Sequence, residues 1–67
     1  MNKTDKQKAS VLAVMQERKG VFMPPSYVAV FALNGKAHVT SAASYYMRAL
    51  ERDGLVKLND HGWGKAI

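Results

Sequence analysis

The chain contains no cysteine, so neither a disulfide nor a thiolate-bound metal can staple it. Proline occurs only as the pair Pro24-Pro25, and acids are scarce, with five Asp/Glu against ten Lys/Arg. Long apolar runs are missing too. The longest, Tyr27 to Leu33, is seven residues, far short of the roughly 20 that cross a bilayer as a helix. The opening Met1-Asn2-Lys3-Thr4-Asp5-Lys6 is polar, with no apolar stretch behind it of the kind a secretory signal needs. These absences point to a cytoplasmic location and no membrane partner.

Catalytic chemistry is equally thin. The two histidines, His38 and His61, stand 23 residues apart without cysteine or a close carboxylate pair, which is no zinc-ligand spacing. Serine, histidine and aspartate occur in no nucleophile context. No helix follows Gly62-Trp63-Gly64, so those glycines do not make a phosphate loop. The chain reads as a binding module, not an enzyme, with no metal site and no cofactor.

What remains is small, apolar and basic. At 67 residues and 7.4 kDa there is room for one domain, and one of this size buries only about 60% of its unfolded surface. Apolar residues make up 48% of the chain, too many for a disordered basic tail. A net charge of +5 and a pI near 9.8 favour a polyanionic partner. Residues 1–20 hold +3 of that charge, while residues 41–54 sum to zero because Glu51 and Asp53 offset Arg48 and Arg52.

Four segments follow from patterning. Residues 5–19 read as a helix: Thr4 and Gln7 have capping-box spacing, Ala9, Val11, Leu12 and Met15 make an apolar stripe, and Gly20 ends it. The run Val28–Leu33 is open to two readings. As a strand it would pair with residues 36–40 across an Asn34-Gly35 turn. As a buried helix it would be opened by Pro24-Pro25, capped by Ser26 and ended at Asn34-Gly35. A third segment is helical, capped by Thr40 or Ser41, with Ala43, Tyr46, Met47 and Leu50 on one face and Gly54 as terminator. The last reads as a hairpin, with Leu55–Leu58 and Trp63–Ile67 joined by a turn at 59–62 that sets Leu58 opposite Trp63. In that register Trp63 anchors the hairpin to the core; its alternative role is to wedge or stack on a nucleic acid.

Helix, apolar link, helix, turn, helix ending in Gly54-Leu55-Val56, then hairpin, is the order of a winged helix-turn-helix domain. Residues 20–58 resemble the DNA-binding domain of LexA-type repressors. The likeness is carried by Met23-Pro24-Pro25-Ser26, Leu33, Ala42-Ala43, Met47-Arg48-Ala49-Leu50 and Gly54. It favours the helical reading of the second segment. Two departures stand out: Ala29-Val30-Phe31 replaces the usual Glu-Ile-Ala, and the turn from Asn34 to Val39 is about one residue longer. The resemblance implies a mostly α fold with a small β-hairpin, a three-helix winged helix-turn-helix spanning residues 1–67. It also implies a mode of docking on DNA rather than the self-cleaving chemistry of full-length LexA.

By that resemblance the third helix enters the major groove of double-stranded DNA with its N-terminal half toward the bases. The contact positions then fall on Thr40, Ser41, Ala42, Ser44 and Tyr45, with Arg48 a turn further on. Serines suit base edges or phosphates, Ala42 suits a thymine methyl, and the Tyr45 hydroxyl suits a phosphate. Lysines at 3, 6 and 8, Lys36 and His38 in the turn, and Lys57 and Lys65 on the wing are the backbone contacts expected, while His61 at the wing tip enters a minor groove or contacts a phosphate. The competing readings are capping or solvation for the serines, solvation for the lysines, a partly buried surface aromatic for Tyr45, a packing role for His38 and an exposed turn histidine for His61. With about four phosphate contacts, log K falls against log salt with a slope of about −4. Such weak single-copy binding calls for a homodimer or a cooperative array on paired half-sites.

The leading expectation is therefore a small sequence-specific transcriptional regulator of bacterial or phage type. The alternative is a winged-helix protein-interaction module, such as a phage-encoded protein that binds a host enzyme. The neutral third helix and its Tyr45-Tyr46 pair fit that reading. RNA is a third partner class, though no RNP or GXXG motif supports it.

Overall fold

The structure, a computed structural model, describes residues 3–33 and 39–67. Three helices precede one hairpin: α1 (Lys3–Glu17), α2 (Pro25–Ala32), α3 (Val39–Arg52), β1 (Val56–Leu58) and β2 (Gly64–Ala66). Each helix packs on the other two, α3 supports β1 and α1 supports β2. This is the three-helix winged-helix arrangement, mostly α with a small antiparallel hairpin.

Helix α2 resolves the open choice at Val28–Leu33. Pro24 sits at the N-cap with φ −71° and ψ 152°, and Pro25 occupies the first turn, where a missing N–H costs nothing. Ser26 is thus inside the helix, and no side chain caps it. The strand pairing of 28–33 with 36–40 does not form, since residues 39 and 40 begin α3. The proposed terminator Asn34-Gly35 lies outside the described residues.

Helix starts also differ from the cap patterns. Thr4 lies within α1, and Gln7 accepts a hydrogen bond from the Tyr46 hydroxyl instead of closing a capping box. Thr40 and Ser41 lie inside the first turn of α3 rather than before it. At the other end of α1, Gly20 adopts φ +86°, the left-handed geometry expected of a residue that ends a helix.

The core is continuous from α1 to the hairpin. Val11 and Met15, Met23, Val28 and Ala29, Ala43, Met47 and Leu50, and Val56 and Ala66 are all buried in one cluster. Ala9 is exposed, so the stripe on α1 is Val11, Leu12 and Met15 without it. No buried polar side-chain atom lacks a partner among the described residues.

The hairpin register is one residue away from the patterned one. Val56 faces Ala66, Lys57 faces Lys65, and Leu58 faces Gly64, not Trp63. The cause lies in the loop. Gly62, at φ +80°, donates its N–H to the Asn59 carbonyl at 3.0 Å, and Asn59 N–H donates to the Trp63 carbonyl at 2.9 Å. A three-residue loop with a left-handed glycine thus replaces a four-residue turn. The Asn59 side-chain oxygen accepts from the N–H groups of His61 and Trp63 and locks this geometry.

A one-residue slip exchanges the two faces of a strand. Leu58 and Gly64 now point inward together, and Trp63 turns outward, 43% exposed. Trp63 is therefore not the core anchor its position suggested. Gly64 fills the inward place because a Cβ there would stand 2.7 Å from Leu58 Cδ2 and 2.9 Å from the methyl carbons of Met15 and Met47.

Both edges of the ribbon are covered. Met23 and Gly64 exchange two backbone hydrogen bonds, 2.7 and 3.0 Å, on the free side of β2. On the free side of β1, Leu58 N–H donates to the Glu51 carboxylate at 3.0 Å. Covering otherwise unpaired strand groups in this way blocks edge-to-edge association.

Candidate nucleic-acid interface

Helix α3 positions its outward residues by burying the opposite stripe. Ala43, Tyr46, Met47 and Leu50 face the core, so residues at helical spacing from Ser41 face solvent: Ser41, Tyr45, Arg48 and Arg52 are exposed. Tyr45 is 61% exposed, with its ring edge-on to Tyr46 at 5.6 Å. Tyr45, Arg48, Ala49 and Arg52 line an open recess of about 250 Å³.

Glu51 of α3 and Asp53, one residue past its end, are both engaged elsewhere. Asp53 pairs with Lys8 of α1 at 2.6 Å, and Glu51 serves the hairpin edge. Among the described residues no ion pair holds Arg48 or Arg52. Residues 41–54, formally neutral, thus carry two guanidiniums with no ion-pair partner among the described residues and engage both of their carboxylates in the fold. Arg52 and Ala49 belong to the same face as Arg48 and are absent from the contact positions expected from sequence. The four-residue step from Arg48 to Arg52 was the available signal.

The remaining expected contacts divide. Ser41 is exposed, while Thr40 and Ser44 are half-buried. Ala42 is half-buried and packs against the core, which leaves little of its methyl for a thymine. Lys6 is exposed, but Lys8 is committed to Asp53. Lys36 and His38 lie outside the described residues.

On the hairpin, Lys57 and His61 are exposed, and Lys65 is half-buried with its Nζ 4.9 Å from the centre of the Phe22 ring. That cation–π contact holds Lys65 on the outer face of the ribbon without neutralising it. No cluster of three or more metal-ligating side chains occurs among the described residues. No helix in the structure is long and apolar enough to cross a membrane.

A second exposed surface lies on α2. Val30 and Phe31 are 55% and 64% exposed, the Phe31 ring packs on Tyr27 at 4.8 Å, and Arg18 lies 5.7 Å from the Tyr27 ring. Compared with protein-family models, with curated proteins and with solved structures, the chain matches none. The reading of its surfaces therefore rests on their chemistry.

Proposed function

We propose that the protein is a small sequence-specific DNA-binding transcriptional regulator of winged-helix type, with α3 in the major groove and the hairpin on the backbone or in the minor groove. The observation that carries this reading is the face of α3. Ser41, Tyr45, Arg48 and Arg52 lie along one exposed side, and Glu51 of the helix and Asp53 just past its end are both engaged elsewhere. Arginine is the side chain best suited to bidentate guanine readout and to phosphate. Lys57, Lys65 and His61 supply further contacts from the hairpin, and the net charge of +5 supports a polyanionic partner.

A single copy offers few base contacts, so function requires a homodimer or cooperative assembly on paired half-sites. Gel shifts on duplex DNA test the reading. Binding at about 50 mM salt that weakens steeply as salt rises is expected. Absence of binding at high micromolar protein rejects it.

One observation favours a second reading, a protein-interaction module. Val30 and Phe31 form an exposed apolar-aromatic patch on α2, and such patches mark partner surfaces. Recovery of one stoichiometric protein partner from nuclease-treated bacterial lysate, abolished by Phe31→Ser, supports it over DNA binding.

A further inference from the structure

The outer face of the hairpin carries a combination that the fold itself does not use. Strand alternation and the observed register place Lys57 directly opposite Lys65. Like charges opposite each other weaken a ribbon, and a three-pair ribbon has little stability to spare. Among the described residues neither lysine has a carboxylate partner. One loop-ward step along the same face stands Trp63, 43% exposed, with its indole N–H bonded to no described residue.

The backbone that carries Trp63 is anchored. Its backbone N–H donates to the Asn59 side-chain oxygen, its carbonyl accepts from the Asn59 N–H, and the next residue, Gly64, is held between Met23 and Leu58. Phe22 lies beside Lys65 under its ammonium group. An exposed aromatic side chain on the same strand face as two cations that lack a carboxylate partner among the described residues is complementary to a partner that offers both π-faces and negative charge at short spacing. Single-stranded nucleic acid has that character, because its bases are free to stack and its phosphates run alongside. An anionic membrane fits less well, since the loop that would lead into it carries Asp60, His61 and Gly62.

We infer that the outer face of the hairpin binds single-stranded nucleic acid, with Trp63 stacking on an unpaired base and Lys57 and Lys65 holding the flanking phosphates. The site lies off the face of α3, and it shares Lys57 and Lys65 with the hairpin contacts proposed for duplex. It deepens the nucleic-acid reading above, because a regulator equipped this way engages melted or unpaired DNA as well as duplex.

Trp63 is the single tryptophan of the chain, so indole fluorescence, excited at the red edge where the tyrosines do not absorb, reports this face. Titration with oligothymidine of about ten nucleotides is expected to quench it, with an affinity that falls as salt rises. Trp63→Leu, followed by anisotropy of a labelled oligonucleotide, is expected to weaken binding about tenfold or more, and Trp63→Phe to retain most of it. Lys57→Thr is expected to weaken binding while leaving the melting temperature unchanged or higher, a pairing of effects that a purely structural lysine would not produce.

The control arms are a hairpin-closed duplex and phosphatidylserine vesicles. Duplex binding with no response to oligothymidine overturns the inference and leaves the duplex-reading proposal standing. Binding of neither nucleic acid removes both. A blue-shifted response to vesicles without one to oligothymidine also overturns it and assigns the face to a lipid surface.

Discussion

Helix α3 and the hairpin both present cations beside an exposed aromatic, yet they do so by different physics. In α3 the display follows from amphipathicity: one stripe is buried to the limit, and the remaining positions face solvent without further instruction. In the hairpin the display follows from a single loop decision. Asn59 and Gly62 select a three-residue loop, and that choice sends Trp63 out and Gly64 in. A helical face is robust to local change because many core side chains hold it, whereas a ribbon of three pairs is held by its turn, its edges and one glycine.

The largest expected effect removes the support that both regions share. Met47 is fully buried and touches the space beside Gly64. Met47→Ala should destabilise the fold by about 2–5 kcal/mol through reduced burial and a residual cavity, read from urea unfolding. A loss below about 1 kcal/mol would mean that α3 and the hairpin do not share one core.

A narrower break separates them. Gly64→Val forces bulk against Leu58, Met15 and Met47, and overpacking of this kind costs about 1–3 kcal/mol. Amide exchange should rise first in 56–66, while protection in α3 falls less.

The converse experiment leaves the fold alone and disables a surface. Arg48→Ala combined with Arg52→Ala touches no core residue and no ion pair among the described residues. The melting temperature should hold, while duplex affinity drops by about 1–3 kcal/mol per base-reading arginine. An arginine that grips phosphate instead flattens the salt slope by about 0.9 when it is removed. Equal loss on specific and random duplexes would show that α3 grips without reading.

The smallest effect tests the partition of charge on α3. Asp53→Asn removes the exposed pair with Lys8, worth about 0.2–1 kcal/mol. It also frees a lysine and removes a negative charge near Arg52. Stability should fall slightly and duplex affinity rise slightly at low salt. A fall in both would place Asp53 in a role beyond charge balance.

Much of this was legible in the residues themselves. The stripe Ala43, Tyr46, Met47 and Leu50 required α3, and Pro24-Pro25 before an apolar run opened α2 once the neighbouring helix excluded a strand. What composition could not reveal was direction. Formal charge made residues 41–54 neutral, but Glu51 and Asp53 bond to β1 and α1, and only the packed structure shows that. The hairpin was legible as a hairpin, but its register was not. Asn59-Asp60-His61-Gly62 fits a four-residue turn by count, and the decisive contribution is a side-chain oxygen bonded to two N–H groups. One residue of slip then reversed the expected fate of Trp63.

The proposal that α3 reads duplex DNA is tested most directly by amide-shift mapping during titration with a duplex. Shifts concentrated on Ser41, Ser44, Tyr45, Arg48 and Arg52, with weaker ones at Lys57 and His61, are predicted. Shifts confined to Tyr27, Val30 and Phe31, or none at saturating duplex, would contradict it.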